Sequence, residues 1–393
     1  MKKITISIIL ILVMILSVAC SGTSNENASN GSSSTTTGSS GNFVLDYQPT
    51  KEKGFIVGFS NGYFGNTWRS QYVEGVEKVG EKYKELGIID DLIIQNTNGV
   101  PEQIAAVESF INQGVDAIVL NPVSSSSLAP VVAKAINKGI LVIISDNPAE
   151  YPNTINVIGD NGNFFKVQTK WLAEKIGKGN LVHITGVAGT SADQIRQDVA
   201  KEILADYPDI KILADAPGGW DQTKAQQVMS NFLSAYPQID GVLMQDVMTQ
   251  GVLQAYKAAN RDLVPMTGDY TFGFFRTWKD QYPDAEMIGV PYAPGVGANS
   301  MEVAIHILMG DKLKDDVLVE NPVNPEIKNS IISTVPYVVT KDGDSDAVWM
   351  KYEGLENTKA ITLDEAIKLG EGLPDGASLD SQWSDEEVKA LFK

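Results

Sequence analysis

The 393 residues hold one cysteine, two histidines and no excess of basic charge. A single thiol, Cys20, excludes an internal disulfide and any zinc site built on cysteines. His183 and His306 are far apart in sequence, each within an apolar stretch, and read as structural side chains rather than metal ligands. With 31 Lys and Arg against 49 Asp and Glu, the net charge is −18, which leaves no footprint for nucleic acid. Motifs of other enzyme classes are also missing: there is no P-loop and no H-E-x-x-H pair. Gly295-Val296-Gly297-Ala298-Asn299-Ser300 carries two glycines of a dinucleotide fingerprint without the third. Acidic residues are numerous, but no spacing singles out a glycosidase carboxylate pair. No catalytic residue, cofactor or metal is therefore expected.

The first distinctive feature is at the start. Lys2 and Lys3 precede an apolar run from Ile4 to Ala19, then Cys20, in the order of an export signal. The run is short of the ~20 residues that span a bilayer as a helix. Leu16-Ser17-Val18-Ala19-Cys20 resembles a bacterial lipobox, with Ser17 at a position that is usually apolar; lipidation of Cys20 would explain the lone thiol. Loss of Lys2 and Lys3 with the signal would leave a mature charge of about −20, so the acyl group would be the anchor. Ser, Thr, Gly and Asn dominate the next residues, as in a flexible tether. The expected organisation is a signal over 1–20, a tether over 21–46 and a globular body of two domains.

Within that body, apolar runs alternate with amphipathic stretches. Phe55-Ile56-Val57-Gly58-Phe59 reads as a strand and Thr67 to Leu86 as a helix ended by Gly87. Pro101 stands at a helix start, and Ile104, Val107 and Ile111 share one helical face. The runs at Ala117–Leu120 and Leu141–Ile144 are apolar throughout, as in parallel strands covered on both sides. The same grammar resumes after Pro152, with strands expected at Ile155–Ile158, Leu181–Ile184, Ile210–Ala214, Gly241–Met244 and Leu263–Met266. Two doubly wound α/β lobes follow, with polar strand ends at Asn61, Asn96, Asn121, Asp146, Gln245-Asp246 and Gly268-Asp269 facing a common cleft.

The loop Gly58-Phe59-Ser60-Asn61-Gly62-Tyr63-Phe64-Gly65-Asn66-Thr67-Trp68-Arg69 crowds aromatics, amides and an arginine behind the first strand. A sugar presents a CH-rich face and a ring of hydroxyls, which suit those groups. From Gly54 to about Pro322 the chain resembles the type I periplasmic-binding-protein family with ribose-, galactose- and galactofuranose-binding members. The resemblance rests on Gly58-Phe59-Ser60, Trp68-Arg69, Asp116-Ala117-Ile118 with Asn121-Pro122, Asp146, Gly189-Thr190-Ser191-Ala192, Arg196, Trp220-Asp221-Gln222, Gln245-Asp246 and Gly268-Asp269. It implies that Phe64, Asn66, Trp68, Arg69 and Asp146 contact a sugar from one side. Arg196, Trp220, Gln245 and Asp269 would do so from the other. Ser124 stands where ribose-binding members have an Asp, and Pro291 where they have a Gln, which points away from ribose toward a larger or differently shaped ligand.

The resemblance also implies a lobe from 47–145 plus 292–322 and another from 146–291 plus 323–340, joined near Asp146, Pro291 and Pro322. Residues 341–393 form an extension, with capping boxes at Thr362–Glu365 and Ser384–Glu387. Asp342, Asp344, Asp346 and Glu353 echo a calcium loop but lack its glycine and its preceding helix, so an acidic turn is the better reading. The function expected is an exported, membrane-anchored monomer that delivers a small sugar to an ABC-type permease. A receptor-linked sensor and a secreted glycosidase are the alternatives.

Overall fold

The computed structural model describes residues 43–344, 347, 350–352 and 354–393. The expected signal, Cys20 and most of the tether lie outside them, as do Asp346 and Glu353. The last residues of the expected tether belong to the body: Val44 is buried in the main core, and Phe43 N–H donates to Asn153 Oδ1.

The chain begins with β1 (Phe55–Asn61), α1 (Thr67–Glu85), β2 (Ile89–Asn96), α2 (Val100–Gln113) and β3 (Ala117–Asn121). Next come α3 (Ser125–Asn137), β4 (Leu141–Ser145) and β5 (Ile155–Gly159). Alternation explains how these strands are buried twice over. In β1, β3 and β4 the side chains of Phe55, Val57, Phe59, Ala117, Val119, Leu141 and Ile143 enter one core. Ile118, Leu120, Val142 and Ile144 enter the opposite core, under α2 and α3. Gly58 is fixed by close approach, since a Cβ there would lie 2.7 Å from the Phe110 ring.

A second set follows: α4 (Asn161–Ile176), β6 (Gly179–Thr185), α5 (Ser191–Ala205), β7 (Ile210–Pro217), α6 (Gln222–Ala235) and β8 (Gly241–Met244). It continues through α7 (Thr249–Ala259), β9 (Met266–Thr267), α8 (Phe272–Gln281) and β10 (Met287–Ile288). The strand expected at Leu263–Met266 is displaced beyond Pro265, which has no N–H to donate. The remainder is α9 (Val296–Leu308), β11 (Val319–Glu320), β12 (Lys328–Ser333), β13 (Tyr337–Thr340), β14 (Lys359–Thr362), α10 (Leu363–Leu369) and α11 (Asp385–Ala390).

Among the described residues, seven strands in the order β11-β12-β5-β4-β3-β1-β2 form one sheet, five in the order β10-β9-β8-β6-β7 a second, and β13 with β14 a small third. All pairings are parallel except β11 with β12. This corrects two expected boundaries. Ile155–Gly159 pairs with β4 and Lys328–Ser333 pairs with Ile155–Gly159, so 146–159 and 323–333 belong to the first lobe. The first crossover therefore follows Gly159 rather than Asp146, and the third lies between β12 and β13 rather than at Pro322. Between them the chain returns after β10 to α9, which packs on α1 and the first sheet, close to the expected Pro291.

Candidate functional site

The first sheet presents Asn121 and Asp146 at its carboxyl edge, and α1 begins beside them. Asn66 is the N-cap: its Oδ1 accepts Arg69 N–H at 2.8 Å, the local geometry that amides favour at helix starts. Capping fixes the first turn, so Trp68 and Arg69 project together. The guanidinium of Arg69 lies 4.7 Å from the Trp68 ring and 4.8 Å from that of Tyr72, a cation–π contact with both members of a stacked pair. Its Nη1 is 2.8 Å from Asp146 Oδ2, and both side chains are buried. Asn121 Nδ2 donates to the same oxygen at 2.8 Å. Nη1 is thus held by an ion pair, whereas Arg69 Nε has no hydrogen-bond partner among the described residues. Asn121 Oδ1 and Asn147 Oδ1 are likewise buried without partners.

The second sheet supplies the facing wall. Arg196, on α5, donates Nε to Asn161 Oδ1 at 2.9 Å and Nη1 to Asp246 Oδ1 at 2.8 Å. Tyr270 Oη donates to the other Asp246 oxygen at 2.6 Å. The Arg196 guanidinium sits 4.4 Å from the Phe164 ring and 4.7 Å from that of Tyr292. Trp220 Nε1 donates to Gln245 Oε1 at 3.1 Å, while Gln245 Nε2 donates to Asp193 Oδ1 at 2.7 Å. The walls meet where Asn66 Nδ2 donates to Trp220 O at 3.2 Å.

Asn66, Trp68, Arg69, Asp146, Arg196 and Trp220 thus line one central cavity of about 30 Å³. It adjoins a cavity of about 510 Å³ that shares Arg69, Asn147 and Trp220 and includes Asn121, Tyr63 and Phe64 at its mouth. Phe64 is 42% exposed there. Three other expected contacts stand elsewhere. Ser124 caps α3 through Ser127 N–H and lines neither cavity. Gln245 lies behind Trp220 as its hydrogen-bonded support. Asp269 is buried outside the central lining and accepts Tyr270 N–H at 2.8 Å.

Asp246, Asn147 and Tyr292 complete the central wall without having been expected as ligand contacts. Asp246 belongs to the polar strand end noted in the sequence, and its partner Arg196 was the available clue. Tyr292 gave no signal beyond its place in the second crossover. Its Oη accepts Gly159 N–H and Asn161 Nδ2–H, both at 3.2 Å, and donates to Asp146 O at 3.3 Å. Trp68 Nε1 donates to Tyr292 O at 2.6 Å, so the indole N–H is committed to the crossover and not to a ligand.

Backbone strain collects here. Asp146, Trp220 and Val247 have φ of 64°, 52° and 63°, and all three line the central cavity. Left-handed backbone is unfavourable for side-chain-bearing residues, most of all for a β-branched one, and tends to gather where binding fixes it. Among the described residues no group of three or more His, Cys, Asp or Glu could hold a metal ion; of the calcium-like pattern, Asp346 and Glu353 lie outside them. Among them, too, no helix is long and apolar enough to cross a membrane.

Gly186 is the spacer behind Trp220. A Cβ there would come within 2.4 Å of the indole and 2.6 Å of Gln245 Oε1. Overpacking of this kind costs about 1–3 kcal/mol. Gly186→Ala is expected to displace the ring and weaken ligand binding roughly ten- to a hundredfold. Calorimetric titration against the parent checks it, and unchanged affinity would remove Trp220 from the site.

Two charged, aromatic-backed walls around an enclosed polar cleft define a bilobed solute-binding protein. A model of the periplasmic binding protein domain matches residues 57–312, and the chain belongs to that family. It is 34% identical to a xylitol-binding protein of Mycolicibacterium smegmatis over 250 residues, 62% of this chain and 70% of that one. It is 28% identical to the ribose import binding protein of Bacillus subtilis over 269 residues, 68% and 86% of the two chains. A crystal structure of an ABC transporter solute binding protein from Thermobispora bispora shares the fold. Its TM-score is 0.71 at 22% identity, over 85% of this chain and 94% of that one.

Proposed function

We propose that the chain is the extracytoplasmic binding component of an ABC importer and holds a small sugar or polyol between its lobes. The carrying observation is the set of buried polar atoms around the cleft without hydrogen-bond partners among the described residues: Arg69 Nε, Asn121 Oδ1 and Asn147 Oδ1. Each such atom costs about 1–3 kcal/mol when left unpaired. A polyol supplies both O–H donors and oxygen acceptors in one rigid frame and would satisfy them together. The neighbouring rings of Trp220 and Tyr292 suit its C–H face. The joint volume falls within the several hundred Å³ usual for small-ligand sites.

Because both walls must touch the ligand, binding favours the closed arrangement of the lobes, which a permease then reads. The relatives are binding proteins, and the reading extends that here: the ligand is bound and returned unchanged. The test is a panel of pentoses, hexoses and linear polyols screened for a raised melting temperature, followed by calorimetry and product analysis. Stoichiometric binding with unaltered ligand is the expected result. If no member stabilises the protein, or one is steadily cleaved or oxidised, the reading fails.

The anchor is part of the same proposal. Lipidation of Cys20 would hold the body at the outer face of the membrane. Cys20→Ala is expected to leave folding and affinity unchanged while releasing the protein from membranes or blocking its processing. Fractionation and mass measurement of the N-terminal peptide decide it; normal processing and retention would reject the anchor.

A further inference from the structure

The C-terminal extension first adds to the second lobe. Phe272 and Gly273 donate backbone N–H to Ala377 O and Asp375 O, and Leu379 N–H donates to Tyr270 O, each at 2.9 Å. Thr271 and Ser378 bridge antiparallel. A few residues later the chain belongs to the first lobe. Trp383 N–H donates to Asn299 Oδ1 at 3.0 Å, α11 packs on α9, and Lys82 pairs with Asp385 at 2.8 Å. The chain therefore changes lobes again across 379–382.

This passage grips the start of α1, beside the ligand cleft. Gln71, two residues beyond Arg69, accepts Ser378 N–H at 2.9 Å and donates to Asp380 at 3.3 Å. Gly295 N–H, at the head of α9, donates to the other Asp380 oxygen at 2.8 Å. Gly376 abuts Thr67, the residue after Asn66, so that a Cβ on Gly376 would stand 3.5 Å from Thr67 Cβ. Asp375 and Gly376 line a side cavity of about 460 Å³ together with Asn66, Thr67, Trp220 and Asp269. Ser378 Oγ is buried in this seam without a hydrogen-bond partner. Separation of the seam would return it to water.

We propose that residues 375–382 are a strap that clasps the two lobes: a fourth crossover whose release from α1 accompanies opening of the cleft. Gly376 and Ser378 ride on the second lobe, whereas Thr67 and Gln71 belong to the first, so the lobes cannot part without breaking these contacts. The strap thereby biases the hinge toward closure before a ligand arrives and slows entry and exit alike. The proposal takes the interlobe cleft as the binding site, in line with the function proposed above, but its first test needs no ligand.

That test compares the detergent-solubilised full chain carrying Cys20→Ser with two derivatives of it. Thr67→Cys with Gly376→Cys has the Cβ spacing of a disulfide, about 3.5–4.5 Å, and should lock the strap on oxidation. Gln71→Ala removes the side chain that holds the strap from a half-buried helix position. In small-angle scattering, Gln71→Ala should show a larger radius of gyration than the oxidised lock, with the parent between them or equal to the lock. With D-ribose and xylitol as probes, oxidation should slow association at least tenfold, and dithiothreitol should restore it. Failure of the disulfide to form in the folded protein would overturn the proposal. So would a Gln71→Ala radius equal to that of the lock, or probe binding to the oxidised lock at the reduced form's rate. If neither probe binds any form, the choice of sugar falls while scattering still decides the strap.

Discussion

Arg196→Ala is expected to weaken binding of any sugar the parent takes by about ten- to over a hundredfold and to lower the stability of the fold as well. Charged hydrogen bonds to a ligand contribute about 1.5–3 kcal/mol, which is a ten- to over hundredfold change in affinity. The structure adds a second effect. Arg196 holds Asn161 and Asp246 at once and lies against Phe164 and Tyr292, in a fully buried setting. Its removal leaves the Asp246 carboxylate buried with Tyr270 as its remaining hydrogen-bonded side-chain partner. Breaking one side of such a pair costs about 3–5 kcal/mol. Arg196→Lys should recover part of the stability but little affinity, since one ammonium cannot span Asn161 and Asp246 as the planar fork does. Urea unfolding and calorimetry on the folded fraction separate the two effects. An alanine variant with parental affinity would remove Arg196 from the site; one with parental stability would show that Asp246 finds another partner.

The strands and the near wall of the site were legible because local chemistry determines them. Apolar runs such as Ala117–Asn121 can only be covered on both faces, and Asn66, Trp68 and Arg69 lie within one loop and helix start. The lobe boundary was not legible, since Ile155–Gly159 reads as a buried strand that suits either sheet and nothing local says which edge it joins. The loop between β4 and β5 carries Asp146, Asn147 and Pro148, the same punctuation that elsewhere marks a crossover. Tyr292 escaped notice for a related reason: its hydroxyl meets Gly159 and Asn161, more than a hundred residues earlier. Position alone does not set the role of Asp269. A carboxylate at the end of a strand in such a sheet suits ligand binding, yet here the backbone of the following loop takes it.

Replacement of that carboxylate is expected to change how stability depends on pH. Asp269 is fully buried, and burial pushes its pKa up, with the nearby Asp246 adding to the rise against the pull of backbone N–H groups; the result is about 7. In the unfolded chain an aspartate titrates near 3.9. Between those values the native state holds a proton that the unfolded state has lost. Stability from this group is thus complete below about pH 4, declines as pH rises toward 7, and is gone above it. A difference of roughly three pKa units corresponds to an effect on the order of 4 kcal/mol. Asp269→Asn keeps the size and neutrality of the protonated side chain and removes its titration. The variant should match the parent near pH 4 within the cost of its new N–H₂ group, and gain on it steadily up to about pH 8. Urea unfolding of both proteins from pH 4 to 8 measures this as a difference of slopes, which cancels the groups they share. Parallel stability curves would mean that Asp269 is ionised in the folded protein throughout, with its backbone donors outweighing burial.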